Sequence, residues 1–362
     1  MDSRAISKLS LLNRAFPVPR TLIMSEVSVG IYDGELRFSE IVYSHGSLVP
    51  QTFGVIDFPE LRMEDQDQKS RDEAVEKLSG FSTEKGYRAV RVLVHEDEAY
   101  VFQITVPSTD VSTFTNAVES SLEENVPLSP SDALFEYEIV SIDEERGETL
   151  LSVTVLSEKT ISSHADILGS GGLFPVSFET EARALSRALV MKGDIRVHAL
   201  LHIGRKHSFM AIIEKGIVSF SSSIDVGSKD IISAVSKSLS MSLPDTEKFI
   251  LENGFEIGKE DMRIFDASMP VLSTFHDEIG KMLVYWKARS RKGDVPPISD
   301  IILSGKYSLM NGIAKYMSVT SQLPTRVGSV WTNILDPKEL PPILTEQESL
   351  DYGSFIGALI TR

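Results

Sequence analysis

The sequence predicts an α/β protein in which one structural unit occurs twice. Three apolar strand segments joined by short turns, with a helix after them, begin near Val27 and again near Val197. A shorter stretch with the order strand, helix, strand interrupts the first of these units. Together these observations predict a duplicated α/β fold with a small insertion in its first half.

The bulk composition is that of a globular protein with more than one compact unit. The chain has 362 residues, of which 42% are hydrophobic and none is cysteine, so disulfides, thiolate zinc sites and cysteine nucleophiles are excluded. The 36 basic and 52 acidic residues give a formal charge of 36 − 52 = −16. That balance argues against a nucleic-acid partner, because binding to phosphates needs a dense basic face.

We expect a protein that stays in the cytoplasm. No apolar run approaches the ~18–20 residues that span a bilayer. The apolar stretch at residues 9–12 is too short for the core of a signal peptide. Residues 1–25, which include Pro17 and Pro19, predict a tail before the first strand.

The first unit is delimited by apolar segments and turn signals. Asp33-Gly34 is a hairpin signal, because a tight hairpin turn favours residues that tolerate positive φ. An amphipathic helix in the interrupting stretch has four apolar residues on one face, at Val111, Phe114, Val118 and Leu122. The predicted strands lie at residues 27–31, 36–43, 47–58, 89–94, 100–106, 135–142 and 149–156, and another helix at residues 71–84.

The second unit repeats this order from Val197 onward. Its first strand ends at Gly204, as the first strand of the other unit ends near Gly30, and a phosphate-binding loop would lie at each of these positions. His198 and His202 are four residues apart on a strand, hence about 13 Å apart, so we expect them to be structural rather than metal ligands. Further predicted elements are a long amphipathic helix at residues 271–289, a strand at residues 301–305 and a helix from about residue 350.

Several short segments resemble the type IV pilus assembly protein PilM family and its relative FtsA, in an order that covers nearly the whole chain. They are Phe-Pro-Val-Pro-Arg at residues 16–20, Ile-Thr-Val-Pro at 104–107, Glu-Glu-Asn-Val-Pro at 123–127, residues 178–189, Leu-Ser-Gly at 303–305 and Asn-Gly at 311–312. The resemblance implies an actin-like fold, that is, a duplicated ribonuclease H-like fold, with an inserted SHS2-type subdomain.

The resemblance also implies a domain layout. A tail would occupy residues 1–25, and the first half (1A) residues 26–96 and 149–196. The inserted subdomain (1C) would occupy residues 97–148. The second half (2A) would occupy residues 197–240 and 296–362, with subdomain 2B at residues 241–295.

The function that the resemblance implies is that of a scaffold at the inner face of the cytoplasmic membrane. Such a protein would bind the cytoplasmic tail of a PilN-like membrane protein, near the junction of the first half and the inserted subdomain. Through that contact it would join the platform that links the pilus motor ATPases to the assembly machinery.

Members of this superfamily that bind ATP hold phosphate on two glycine turns, beside carboxylates that orient Mg²⁺ and water. Here Tyr32 and His202 stand where the family has aspartates. Asp33 is either a substitute carboxylate or a hairpin residue, and the Asp-Gly pair favours the hairpin. The residues left for a nucleotide cleft are Gly30, Asp33, Gly34, Gly204, Arg205, Lys206, Gly227, Glu247 and Gly305.

The nucleoside end of this cleft departs from the family as well. Ser228 and Lys306 replace glycines, and Ile250 replaces a lysine. We therefore predict a degenerate nucleotide site with no catalytic residue, no bound metal and no required cofactor, in a protein that is not an enzyme. The alternative is a nucleotide-switched actin-like ATPase that binds Mg-ATP. An FtsA-like polymer is disfavoured, because that relative uses an amphipathic membrane helix after its last domain and none follows residue 360 here.

Overall fold

The structure, a computed structural model, describes residues 26–44, 47–59, 68–254, 262–289, 296–334 and 344–360. The predicted tail at residues 1–25, with the segment 16–20 of the family resemblance, lies outside the described residues. So do residues 255–261 and 290–295 of the predicted subdomain 2B. Among the described residues, no helix combines the length and apolar character that crossing a membrane needs.

The strands are β1 (Glu26–Tyr32), β2 (Glu35–Ser44), β3 (Ser47–Asp57), β4 (Ala89–Val94), β5 (Ala99–Val106), β6 (Ala133–Asp143), β7 (Glu148–Ser157), β8 (Phe174–Thr180), β9 (Val197–His202), β10 (Ser208–Glu214), β11 (Ile217–Ile224), β12 (Ile298–Ser304) and β13 (Thr325–Val327). The α-helices are α1 (Gln68–Lys85), α2 (Phe114–Asn125), α3 (Glu158–Ser170), α4 (Glu181–Leu189), α5 (Ser228–Leu239), α6 (Leu243–Asn253), α7 (Arg263–Ala288), α8 (Ile313–Ser321), α9 (Glu346–Asp351) and α10 (Gly353–Leu359).

The two halves contain sheets of the same topology. The first has the strand order β3-β2-β1-β4-β8 and the second β11-β10-β9-β12-β13. In each, three antiparallel strands are followed by two that run parallel to the first strand. The duplication predicted from the repeated apolar segments is therefore present in the structure.

Each sheet is covered by helices on both faces. The core on one face of the first sheet joins β1, β2 and β4 to α1 and α3 through Val29, Leu36, Leu78 and Ile167. In the second half, α5, α6, α7 and α8 share one core with β9, β10 and β12. The described part of the predicted subdomain 2B therefore has no core of its own.

The seam between the halves is formed by α4 and α10. A Cβ added at Gly357 would lie 1.9 Å from the carbonyl oxygen of Ala184, so the two helices approach at a point where only glycine fits. Ser28 Oγ on β1 donates a hydrogen bond of 2.8 Å to the carbonyl oxygen of Phe355 on α10. The last described helix thus completes the first half.

The inserted unit is a three-stranded antiparallel sheet, β5-β7-β6, with α2 on one face. The predicted boundary at residue 148 falls at the start of β7, but β7 pairs with both β5 and β6 along its length, so the unit extends to Ser157. Its core is built from Phe114, Val118 and Leu122 of α2 against the sheet. Val111, predicted on this buried face, lies in a 3₁₀ turn and is 56% exposed.

The other face of the inserted sheet contacts the second half. Gln103 Nε2 donates to Ser219 Oγ at 2.7 Å, and Ser152 Oγ donates to the carbonyl oxygen of Val218. Lys215 Nζ lies 3.3 Å from the carbonyl oxygen of Val140. The insertion therefore bridges the two halves of the molecule.

Two helices depart most from their predicted extents. The long helix α7 begins at Arg263 rather than at residue 271, and Pro270 lies inside it. The helix predicted from about residue 350 is split into α9 and α10 at Tyr352.

Candidate functional site

The candidate site is a cavity of about 470 Å³ between the two halves. Its walls come from residues that follow the carboxyl ends of β1, β4, β8, β9 and β12, because parallel strands end at the same edge of a sheet. The cavity is lined by five of the nine predicted cleft residues: Asp33, Gly204, Arg205, Glu247 and Gly305. Gly30, Gly34, Lys206 and Gly227 lie outside this lining.

The Asp33-Gly34 pair forms the predicted hairpin turn. Asp33 has φ +60° and Gly34 φ +77°, the combination of a type I′ turn between β1 and β2. Asp33 also lines the cavity, so the hairpin role and a place in the cleft coexist. Gly30 lies within β1, paired with Arg37 on β2 and Leu93 on β4.

The loop after β9 is bonded to the start of α5. The backbone N–H groups of Ser228 and Lys229 donate to the carbonyl oxygens of Gly204 and Arg205, each at 2.9 Å. A Cβ at Gly227 would lie 2.4 Å from the Arg205 carbonyl oxygen. The first amides of this helix, which in other proteins bind anions, are thus used by the chain itself.

An ion-pair network crosses the mouth of the cavity from one half to the other. Arg205 Nη1, on the loop after β9, lies 2.6 Å from Glu35 Oε1 on β2. Arg37 Nη2 lies 2.8 Å from the second oxygen of the same carboxylate. Glu35 is therefore shared between two arginines, and Arg205 of the basic loop after β9 already has an internal carboxylate partner.

A second ion pair fills the end of the cavity where the resemblance implies a nucleoside. Lys306 Nζ lies 2.7 Å from Glu247 Oε1 and 5.7 Å from the centre of the Tyr307 ring. Burial acts to raise the pKa of Glu247, but hydrogen bonds from Lys306 and Tyr307 outweigh it and hold this pKa below its usual value. Gly305 has φ +89°, and a Cβ there would lie 2.3 Å from the Ile203 carbonyl oxygen.

Among the cavity residues that the sequence did not predict, Glu181 and His95 bring charge into the cleft. Glu181, the first residue of α4, is buried and lines the cavity. His95 follows β4, with Nδ1 2.7 Å from Asp97 Oδ1 and Nε2 3.9 Å from Glu181 Oε2. The loops lost their expected carboxylates, yet one carboxylate enters the cleft from α4. A signal for it was present, since Thr180 is a helix N-cap directly after a strand.

The histidines in this region have strongly perturbed pKa values. Burial acts to lower the pKa of His95, but Asp97, Glu181 and Asp33 outweigh it and raise the pKa to about 9. Burial, with the charges of His95 and Arg37, lowers the pKa of His202 to about 3. His95 is thus a cation in the cleft. The described residues contain no group of three acidic or histidine side chains that could hold a metal ion.

The two histidines of β9 occupy different environments. His202 lines the cavity and stacks on Phe209 with ring centres 5.0 Å apart. His198 is buried at the other end of the strand, where Nδ1 bonds to Asp300 and Nε2 lies 3.3 Å from Asp194 Oδ2. His198 therefore belongs to a cluster of polar side chains that includes Asp194 and Asp300.

Two sheets of identical order, helices on both faces, a seam of two helices and a cleft at the carboxyl ends of the parallel strands define the actin-like fold. The protein has this fold. No family model matches the sequence, and no curated protein matches it either.

Solved structures do match the chain. A chain of the PilM-PilN type IV pilus biogenesis complex aligns with a TM-score of 0.72 and 19% identity, over 94% of this chain and 98% of that one. MreB5 of Spiroplasma citri bound to ADP aligns with a TM-score of 0.52 and 14% identity, over 87% of this chain and 94% of that one. The resemblance to PilM in the sequence is thus matched by similarity of fold over nearly the whole length.

Proposed function

We propose that this protein is a PilM-like scaffold of a type IV pilus assembly platform. It would lie at the inner face of the cytoplasmic membrane, hold the cytoplasmic tail of a PilN-like protein and contact the motor ATPases through that platform. The observation that carries the proposal is the agreement of fold, over 94% of this chain, with a chain of the PilM-PilN complex. The order of the PilM-like segments in the sequence supports it independently.

The proposal includes a degenerate nucleotide site, in which the protein's own contacts occupy the places of the nucleotide. Lys306 and Glu247 occupy the nucleoside end of the cavity with their own ion pair. The first amides of α5 are bonded to the loop that would cradle phosphate, and Arg205 is engaged by Glu35. A nucleotide would have to displace all three sets of contacts in order to bind. This favours a protein that holds partners together over one that hydrolyses ATP.

A second candidate function is that of a nucleotide-switched ATPase. Two observations favour it: the similarity to MreB5 bound to ADP and the buried carboxylate of Glu181 in the cleft. A calorimetric titration with Mg-ATP separates the two candidates. The scaffold predicts no heat of binding, whereas the switch predicts saturable binding and a rise in Tm with ATP.

A variant of Lys306 tests whether its ion pair is what keeps Mg-ATP from binding. In Lys306→Gly the ammonium group that neutralises Glu247 is removed, and the cavity is joined to the neighbouring depression lined by Glu247, Glu348 and Asp351. If the ion pair is what excludes the nucleoside, this variant binds Mg-ATP measurably while the wild type does not. Lys248→Gly, beside the same depression but in contact with Glu252, is the matched control.

The direct test of the scaffold is a titration with the cytoplasmic tail of a PilN-like protein from the same organism. We expect the tail to bind at the junction of the first half and the insertion, where Arg183 on α4 meets Glu136 and Glu138 on β6 at 2.7 and 3.4 Å. Leu134, 46% exposed on the same strand, is the residue to change. Leu134→Asp should weaken binding, whereas Val319→Asp on the exposed face of α8 should not. A wild-type protein that shows no binding at tens of micromolar contradicts the proposal.

A further inference from the structure

β3 forms one edge of the first sheet, and part of this edge is unprotected. Among the described residues, β2 is the only strand that pairs with β3. Residues 41–56 contain no lysine, arginine, aspartate or glutamate, although such charges commonly keep a sheet edge from pairing with another chain. Pro50 protects the beginning of β3, because a proline nitrogen offers no donor, but residues 51–56 contain no proline and no charge.

The strand register shows which backbone groups of β3 point away from β2. The N–H of Phe58 donates to the carbonyl oxygen of Gly34 at 2.9 Å, so these two residues form a hydrogen-bonded pair. Bonded and non-bonded pairs alternate along an antiparallel ladder. Counting back along the register from this pair, Val55 and Phe53 are not bonded to β2 and present their N–H and C=O groups to the outside.

A contact at the end of the strand confirms this alternation. It places the carbonyl of Asp57 on the outside as well, and Lys77 Nζ on α1 donates to that oxygen at 2.9 Å. Phe53 and Val55 have no such partner within the part of the chain that the structure describes. The side chain of Val55 is also 46% exposed. The edge of β3 therefore offers four open backbone groups beside an accessible apolar residue.

The Phe-Pro-Val-Pro-Arg segment at residues 16–20 has the pattern of a strand that ends a sheet. Its two prolines are two residues apart, so the two missing N–H groups fall on the same side of an extended chain. The opposite side keeps the N–H and C=O groups of Phe16, Val18 and Arg20. A strand with this pattern can pair on one side only, and proline is tolerated in sheets at such edges.

This segment is attached close enough to reach the open edge. Ser28, Ser39 and Phe53 lie in one row across β1, β2 and β3. A new strand beside β3 would lie three strand spacings from β1, about 14 Å. β1 begins at Glu26, two residues or about 7 Å before that row. The eight residues from Val18 to Glu26 span up to about 26 Å, which exceeds this separation.

We propose that residues 16–18 add a sixth strand to the first sheet, antiparallel to β3. Val18 lies opposite Phe53, and Phe16 lies opposite Val55. These two pairs exchange four hydrogen bonds with the open backbone groups, and the ring of Phe16 covers the exposed side chain of Val55. The attached segment is present at an effective concentration of ~mM, which favours it over a second copy of the chain. Its prolines then keep further chains from pairing at the new edge.

Amide hydrogen exchange, measured residue by residue by NMR on the full chain, tests this pairing. In the wild type, the N–H groups of Phe53 and Val55 should exchange at least about tenfold more slowly than in Val18→Pro, which removes a donor on the bonding side. Pro17→Ala is the matched control. It changes the outer side of the same strand and should leave both N–H groups slow.

The neighbouring amides show whether the sheet itself is folded. The N–H groups of Gly54 and Ile56 are bonded to β2 and should stay slow in all three proteins. Rapid exchange of Phe53 and Val55 in the wild type, or equal loss of their protection in the control variant, would overturn the proposal. Slow exchange that survives Val18→Pro overturns it as well, and a dependence on protein concentration then assigns the edge to a second copy.

An engineered disulfide gives a second test, since the chain has no cysteine. Directly opposite residues in a hydrogen-bonded pair have Cα atoms about 5.5 Å apart, a separation that suits a disulfide. Phe16→Cys combined with Val55→Cys should therefore form a disulfide within a single chain on mild oxidation. Phe16→Cys combined with Val319→Cys, at a 64% exposed position on α8, should not. A disulfide that joins two chains, or the absence of one, would contradict the pairing.

Discussion

Replacing Gly357 by alanine tests whether the α4–α10 seam is as tight as the structure describes. The new Cβ would lie 1.9 Å from the carbonyl oxygen of Ala184 and 2.5 Å from its carbonyl carbon. Both are backbone atoms, so no side chain can rotate away and α10 must move off α4. Overpacking of this kind costs about 3 kcal/mol, and the better helix propensity of alanine returns about 1 kcal/mol. We expect a net loss of about 2 kcal/mol.

Urea unfolding followed by tryptophan fluorescence measures this loss. The chain has two tryptophans, and Trp331 is buried in the core that α10 shares with α4. With a slope of ~3 kcal/mol/M or more for a chain of this size, the midpoint should fall by about 0.5 M. Gly280→Ala in α7, where an added Cβ would meet nothing within 4 Å, is the control and should not lower it. An unchanged midpoint for Gly357→Ala would refute the account of the seam.

The other predictions concern charge and packing. The pKa of His95 is raised to about 9, so its contribution to stability is complete below about pH 6.5 and is lost as pH rises through 9; His95→Ala should remove this pH dependence of Tm. Asp300→Asn removes the carboxylate that both His198 and Arg326 contact and should cost about 1–3 kcal/mol in urea unfolding, whereas an unaffected midpoint would contradict the cluster's role. Leu122→Ala opens a cavity under α2 and should cost about 2–5 kcal/mol, with faster hydrogen exchange confined to residues 99–157; exchange that quickens evenly across both halves would count against an insertion with its own core.

The features that the sequence predicted correctly are those set by residues close together along the chain. The Asp33-Gly34 turn follows from the φ preferences of two residues, and the structure has it. The order of the strands and the duplication follow from apolar periodicity within short windows. The boundary at residue 148 failed because the place of β7 depends on pairing with β5, whose Ala99 meets Leu156.

The sequence predicted which nucleotide-binding residues are missing from the cleft. It did not predict which side chains and contacts occupy the cleft in their place. The sequence showed Lys306 where a glycine was expected, yet its bond to Glu247 joins residues 59 positions apart. Glu181 lines the cleft from α4, a helix that contains no glycine. Charge pairs between distant segments are set by the packing of the halves, and the sequence carries no local signal for them.

The bond between Ser28 and Phe355 joins positions 327 residues apart, and it has a consequence during synthesis. On the ribosome, the first sheet emerges long before the helix that covers it, so one of its faces stays open while the rest of the chain is made. Distant contacts of this kind slow folding, and an uncovered sheet is prone to aggregate. A nascent chain of this protein should therefore depend on chaperones until residues 353–359 have emerged.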